Sequence, residues 1–471
     1  MTPDEFRRAG YRLIDFIADY RASIETRRVM ARTEPGEIKR RLPASPPQHP
    51  ESFEQILDDV GRDVMPGITT WQHPRFFGYF PSNALFSSLL GDYLSSGLGV
   101  IGLAWLSSPA LTEVEEVVCD WMRQMLGLSA AWSGVINDTA STSTLVALLC
   151  ARERASNYSL SRGGLQAEHQ PLVVYTSAHS HSSVEKAALL AGFGKDNVRT
   201  VPHDAAYAMR PDALADAIAG DFDSGRRPCA VVATTGTTTA TACDPIDAIA
   251  RITADRGIWL HVDAAMAGSA MILPECRHLW QGVERADSLI VNAHKWLGAV
   301  FDCTLYFVRD PEHLVRVMST NPSYLQSAAD GRVKNYRDWG LPLGRRFRAL
   351  KLWFLIREQG VDQLQARLRR DLDNATWLAG EVAKAPHWKV LAPVALQTVC
   401  IRHEPPGLAG EALDTHTLRW AARLNESGQA YVTPALLDGR WMVRVSIGAE
   451  LTGRQHVEQL WRMINEIVRD R

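Results

Sequence analysis

The chain has 471 residues, of which 46% are hydrophobic and 22% charged, a balance that excludes a disordered polymer. With 51 Lys plus Arg against 53 Asp plus Glu, the formal net charge is −2. A dedicated nucleic-acid binder carries a basic excess, so no nucleic-acid partner is expected. No window holds about 18 uncharged apolar residues, so no membrane-crossing helix is expected, and the length suits about three domain-sized units.

In chain order, the first element is a helix. Thr2 is placed to cap it, Pro3 to occupy its first position and Glu5 to complete a capping box. Phe6, Leu13, Ile14, Ile17, Ala18 and Ile24 recur at helical spacing, and this apolar face needs cover from the main body or a second subunit. The segment Met1-Thr2-Pro3-Asp4-Glu5-Phe6-Arg7-Arg8 has no apolar core of the kind a signal peptide needs. Residues 33–50, with Pro43, Pro46, Pro47 and Pro50, predict an extended connection, and Phe53, Ile56, Leu57 and Val60 predict a second helix.

From about residue 135 to 310, short β-rich runs alternate with helical stretches. Strands are predicted at 172–175, 229–234, 258–263, 288–292 and 304–308, apolar at nearly every position as strands covered on both faces should be. The intervening helix at 245–256 is expected to be capped by Asp244, started by Pro245 and stopped at Gly257. Such alternation predicts a mostly parallel sheet wrapped by helices, with ligands beyond the carboxyl ends of the strands. Residues 318–342 lack periodicity, which in a compact domain marks a functional or disordered loop. A helical stretch at 347–355, a long charged helix through Arg370, and strands at 398–402 and 441–447 suggest a smaller α+β unit at the end. Seven dispersed cysteines without a C-x-x-C pair read as reduced, buried thiols, hence a cytoplasmic location.

Four features at strand ends carry chemistry. Ser288–Asn292 runs into His294, Lys295 and Trp296. A turn lysine is ordinarily a surface residue, but at the carboxyl end of a buried strand, desolvation can yield the neutral amine that forms a Schiff base. Trp259–Asp263 ends in a carboxylate, which is either a helix cap or the ionised partner that a pyridoxal phosphate ring nitrogen requires. Thr139, Ala140 and Ser141 open a helical run, and hydroxyl residues at a helix N-terminus can receive an anion or over-provide a cap. No G-x-x-x-x-G-K-[ST] occurs, which weighs against a nucleotide triphosphate. His179 and His181 follow the 172 strand, but with no third ligand nearby no metal is expected, and an imidazole stacked on an aromatic ring is the better use. An amine, a carboxylate, an anion cradle and a stacking ring are the parts of a pyridoxal phosphate site.

The ordered blocks Phe6-Arg7-Arg8-Ala9-Gly10, Glu34-Pro35-Gly36, Met65-Pro66-Gly67-Ile68-Thr69-Thr70-Trp71 and Phe77-Gly78-Tyr79-Phe80-Pro81-Ser82 extend the pattern. So do Ser108-Pro109-Ala110-Leu111-Thr112-Glu113, Asn292-Ala293-His294-Lys295-Trp296 and Pro342-Leu343-Gly344-Arg345-Arg346-Phe347-Arg348. Over essentially its whole length the chain resembles the group II pyridoxal-phosphate decarboxylases, most closely the bacterial aromatic-L-amino-acid (DOPA) decarboxylases. The resemblance implies the α/β architecture of PLP-dependent transferase fold type I, a mostly parallel mixed sheet wrapped by helices. An N-terminal helical segment (1–85) would clasp a partner subunit, with a large cofactor-binding domain at 86–360 and a small C-terminal α+β domain at 361–471.

By the same resemblance Lys295 is the Schiff-base lysine, Asp263 pairs with the ring nitrogen, and Thr139, Ala140, Ser141, Asn292 and His294 contact the phosphate. His181 stacks on the ring, Ala265 packs its other face, Thr238 contacts the cofactor, and Asp244 lies near the lysine. Tyr324 protonates the carbon left by CO₂. Trp71, Tyr79, Phe80, Pro81 and Ser82 line the substrate pocket, with Ile101 and Leu103 reaching in from the second subunit of a homodimer. Leu103, Ser82 and Met266 stand where animal members commonly carry an aromatic residue, Thr and Tyr, so they bear on ring preference. The implied reaction is decarboxylation of DOPA, tyrosine, tryptophan or 5-hydroxytryptophan. The alternatives are an aromatic-aldehyde synthase, which the tyrosine at 324 disfavours, and a non-catalytic ligand-binding protein on the same fold. Decarboxylation of a small acidic amino acid is disfavoured because a second carboxylate needs an arginine partner rather than the apolar wall of Trp71, Tyr79 and Phe80.

Overall fold

A computed structural model describes residues 1–320 and 331–469. The chain forms two compact units. One comprises Met1–Pro81, Trp377–Lys389 and the residues from Ile401 onward; the other comprises Ser82–Thr376 and Val390–Cys400.

The second unit is built on a seven-stranded sheet of β1 (Ser133–Asn137), β2 (Leu172–Ser177), β3 (Val198–Val201), β4 (Arg227–Thr234), β5 (Trp259–Asp263), β6 (Ser288–Asn292) and β7 (Thr304–Val308). Their order is β1-β7-β6-β5-β4-β2-β3. The pairs from β6 to β3 are parallel, and β7 runs antiparallel to both β6 and β1. Every residue of β2, β5, β6 and β7 is buried, as their mostly apolar runs require of a sheet covered on both faces. This is the mixed, mostly parallel sheet of fold type I. Its direction collects Asn137, Ser177, Thr234, Asp263 and Asn292 at one edge, with Thr304 opening β7 at the same level.

Two departures from expectation have local causes. The helix after β4 runs Ile246–Ala254 with Pro245 at its cap position, so Asp244 is not its cap. The Asp244 carboxylate turns to the sheet instead and takes backbone N–H groups from Thr234 and Met209, both at 2.7 Å. The two helices expected after residue 347 form one element, Ala349–Lys384, interrupted at Gly360, whose φ of +64° a residue without Cβ tolerates.

In the first unit the N-terminal helix is Pro3–Ala22, with Thr2 and Glu5 forming the reciprocal capping box. None of its residues is buried. β10 (Thr433–Leu437) and β11 (Arg440–Ser446) pair antiparallel across Asp438 and Gly439, both at positive φ, the Asp-Gly chemistry of a tight hairpin turn. With β8 (Trp388–Val390) and β9 (Thr398–His403) they form a four-stranded sheet of order β10-β11-β9-β8. No helix among the described residues is long and apolar enough to cross a membrane. All seven cysteines are free and six are buried.

Candidate active site

β1 ends at Asn137, and Thr139 caps the helix Ala140–Ala155 that follows, its Oγ1 accepting from Thr142 N. Asp138 Oδ1 accepts the Thr139 N–H at 2.7 Å and fixes the entry of the chain. The first-turn N–H groups of a helix have no intrahelical acceptor and carry the positive end of its dipole, so Ala140 and Ser141, behind the Thr139 cap, offer an anion cradle. Thr304 Oγ1 donates to Asn292 Oδ1 at 2.8 Å and lies 3.1 Å from the Asp138 carbonyl oxygen, tying the cradle to the end of β6. Neither Asn137 nor Thr304 stands out in sequence, because their roles depend on the antiparallel register that brackets Thr304 between Asn137 and Asn292.

Beyond β6 the chain turns through Ala293–Leu297, where Lys295 breaks the helical run with a ψ of −111° and Gly298 closes it at φ +108°. Lys295 is half-buried and His294 buried. Cys303 presents its N–H and carbonyl oxygen to His294 Nδ1 at 2.9 and 3.0 Å. Burial, followed by the charge of Lys295, pushes the His294 imidazole down to about 4. Ser82 Oγ lies 3.5 Å from the His294 carbonyl oxygen.

Asp263 is buried at the end of β5, and its Oδ1 accepts from Ala265 N at 3.0 Å. The neighbouring Ala265 carbonyl accepts from Asn292 N at 2.9 Å, linking the β5 and β6 ends. His181 follows β2, and its Nδ1 faces Ser183 Oγ at 2.7 Å. Desolvation, then the Lys295 charge, lowers the His181 imidazole, and Asp263 opposes them. The three groups therefore share one electrostatic neighbourhood. His179, two residues earlier, packs instead on His203 and Tyr207, with ring centroids 4.7 and 5.4 Å away. Asp244 is held by backbone donors as described, and burial pushes its carboxyl up to about 6 against those two hydrogen bonds. Thr238 lies half-buried in the turn after β4.

These residues fit pyridoxal 5'-phosphate. A cation-bearing strand end, a buried carboxylate and a helix N-terminus lie at one sheet edge. The buried hydroxyls of Thr176, Ser177, Thr234 and Thr235 at the ends of β2 and β4 have no protein partner, so the edge also offers unused hydrogen-bonding capacity to a polar ligand. That capacity was not legible in sequence, because Ser and Thr at strand ends are commonplace until their burial is known.

In the first unit, Trp71 and Tyr79 stack with centroids 5.4 Å apart, and Phe76 and Tyr431 at 5.3 Å. Tyr79 and Tyr431 bring their hydroxyls to 3.2 Å. Phe76 and Tyr431 were not anticipated, since Tyr431 joins the group from a segment 352 residues away. Pro81 is buried, and Phe80 lies under the Arg444 guanidinium, 4.8 Å from its ring centroid. Ile101 is exposed and Leu103 half-buried. Tyr324 lies outside the described residues.

A mixed sheet that gathers an anion cradle, a carboxylate and a lysine at its carboxyl edge defines a pyridoxal-phosphate enzyme of fold type I. Residues 35–404 match the pyridoxal-dependent decarboxylase conserved domain, and the chain belongs to that family. It is 39% identical over 476 residues to a phenylacetaldehyde synthase of Arabidopsis thaliana, covering 99% of this chain and 96% of that protein. It is likewise 39% identical over 490 residues to a tyrosine decarboxylase of Papaver somniferum, covering 99% and 95%. A crystal structure of Oryza sativa TDC with PLP and tryptamine superposes with a TM-score of 0.97 at 36% identity, covering 100% of this chain and 99% of that one. The protein is a pyridoxal-phosphate-dependent carboxy-lyase acting on an amino acid.

Proposed function

We propose that the chain decarboxylates an aromatic L-amino acid (DOPA, tyrosine, tryptophan or 5-hydroxytryptophan) to its amine and CO₂, as a cytoplasmic homodimer. The observation that carries the chemistry is that the ends of β5 and β6, which bear Asp263 and lead into Lys295, are tied side by side by Asn292 N donating to the Ala265 carbonyl at 2.9 Å, with His181 following parallel strand β2 of the same sheet. The aromatic preference is supported by the activities named for the relatives. The free, buried thiols suit a reducing compartment.

When bound, pyridoxal 5'-phosphate supplies the electron sink for the pair left behind as CO₂ departs. Lys295 Nζ would hold the cofactor covalently, at a bond that a substrate amine can exchange for its own. Asp263 would pair with the ring nitrogen, and His181 and Ala265 would pack against the two faces of the ring. The N-terminus at Thr139, Ala140 and Ser141 would hold the phosphate together with Asn292, His294 and Thr238. Asp244 holds the β4 end in place from behind. Tyr324 is assigned from the resemblance as the acid that delivers a proton to Cα, which requires an approach to about 3 Å. From the resemblance, Trp71, Tyr79, Phe80, Pro81 and Ser82 are assigned to the substrate pocket, with Ile101 and Leu103 from the second subunit.

The dimer is supported by unpartnered apolar surface. Leu90, Leu94 and Leu98, at four-residue spacing on the helix Phe86–Leu98, are 50%, 42% and 54% exposed, and Ile101 and Leu106 shortly after it are 59% and 67% exposed; exposed apolar surface of this extent marks interfaces. Comparing kcat/KM for CO₂ release across the aromatic substrates and glutamate tests the substrate class. A preference for glutamate would overturn it. The aldehyde-synthase alternative, favoured by the Arabidopsis relative, is decided by the ratio of amine to aldehyde produced.

A further inference from the structure

The turn that carries Lys295 is gripped by residues about 70 positions further along the chain, which the site described above does not use. Trp296 and Asp371 are both fully buried, and Trp296 Nε1–H donates to Asp371 Oδ2 at 2.9 Å. The other carboxylate oxygen takes Arg370 Nε and Nη2 at 3.1 and 2.9 Å. The next residue of the turn, Leu297, gives its carbonyl oxygen to Arg367 Nη2 at 2.6 Å. Arg367 and Asp371 are four apart within Ala349–Lys384 and so lie on one helix face.

Gly298 is pinned as well. A Cβ there would stand 2.6 Å from Leu85 Cδ1 and 3.2 Å from Arg367 Nη2, and Leu85 N donates to the Gly298 carbonyl at 3.2 Å. Residues 296, 297 and 298 are thus each fixed from outside the turn, immediately after the residue whose backbone departs from the helical run. A tryptophan–carboxylate bond is commonly no more than a satisfied indole in a core. Here, however, a buried carboxylate raised by desolvation is retained, and the same helix face bonds two consecutive residues of the lysine turn.

We propose that Asp371, together with Arg367, is a positioning residue for the decarboxylation: through Trp296 and Leu297 it sets where Lys295 Nζ stands relative to Asp263. The proposal rests on the assignment of Lys295 as the cofactor lysine.

The test compares the holoenzyme with Asp371→Ala, Trp296→Phe and Asp371→Asn, the last retaining an oxygen acceptor for the indole. Two readouts are the pH midpoint of the visible absorption band and the rate at which that band is lost as pyridoxal 5'-phosphate leaves on dilution. Thermal unfolding is followed in parallel. Loss of a hydrogen bond to a charged group predicts release about tenfold faster, or more, with a shifted midpoint, in Asp371→Ala and Trp296→Phe. Asp371→Asn should stay near the parent on both. Variants with lower thermal midpoints but unchanged release and pH midpoint would overturn the positioning role, as would equal losses in Asp371→Asn. If Asp371→Ala does not fold, Trp296→Phe decides by the same criteria. A parent protein without a borohydride-reducible band at Lys295 would instead overturn the lysine assignment itself.

Discussion

Asp263 Oδ1 accepts the Ala265 N–H at 3.0 Å, so the carboxyl plane is set by a residue two positions along the chain. Ala265 in turn gives its carbonyl oxygen to Asn292 N. The acid of β5 and the lysine turn after β6 are therefore oriented by one short run of backbone. Asp263→Asn should preserve this geometry while removing the charge that keeps the ring nitrogen protonated. A loss in kcat on the order of 10²–10³-fold, with cofactor still bound, is expected from steady-state CO₂ release. Activity within a few-fold of the parent would be inconsistent with the role.

Tyr324→Phe should leave CO₂ release running while protonation of Cα fails. A positioned general acid contributes about 10²–10⁴-fold, so amine formation should drop well below CO₂ formation, with aldehyde and ammonia making up the difference. Parallel quantitation of CO₂, amine and aldehyde checks this. An unchanged amine yield and rate would remove Tyr324 from the mechanism.

Buried titratable groups give the folded state opposing pH responses. His261 is fully buried and pushed down to about 4 by desolvation, so its contribution is complete above 6.5 and is lost as pH falls through 4. That loss is on the order of 3 kcal/mol. Asp244, raised to about 6, acts in the reverse sense, because its neutral form is favoured in the fold and stability falls as pH rises from 3.8 to 6. Asp244→Asn should steepen the acid loss of stability between pH 4 and 6, read as urea unfolding at fixed temperature. An unaltered slope would show that Asp244 does not titrate in that window.

Gly298→Ala places a Cβ at φ +108° and 2.6 Å from Leu85. The left-handed backbone and the clash together predict a destabilisation of about 2–4 kcal/mol and weaker retention of the cofactor. Differential scanning calorimetry and cofactor retention on gel filtration report the two effects.

Leu98→Asp puts a charge among the exposed leucines of the helix Phe86–Leu98. Sedimentation equilibrium should show the parent as a dimer and the variant shifted toward monomer, with CO₂ release falling in step. A parent that sediments as a monomer would contradict the second-subunit role of Ile101 and Leu103.

The β5, β6 and β7 runs are legible to within a residue because a strand buried on both faces is apolar at most positions, and β5 and β6 each end in a polar group while β7 begins with one. β1 and β3 are not. β1 is five residues long and contains Gly134, where a Cβ would stand 2.8 Å from the Phe307 ring, so close packing rather than β-propensity selects its residue. β3 is an edge strand with three of its four residues only partly buried or exposed, which erases the apolar signature. Asp244 shows the limit of local logic. Asp followed by Pro has the form of a helix start, yet two unsatisfied N–H groups, Thr234 N in the strand and Met209 N from a separate turn, claim the carboxylate.

By itself, the sequence determined the fold class and the cofactor, and it singled out candidate residues for the site, because burial and charge at strand ends are written into local composition and an ordered set of family blocks. Only the tertiary structure decided that Thr304 braces the anion cradle, that Tyr431 joins Trp71 and Tyr79, and that Asp371 holds Trp296 beside the lysine. Each of these joins residues dozens to hundreds of positions apart. Such pairings follow from strand register and helix packing, quantities that no local pattern of residues encodes.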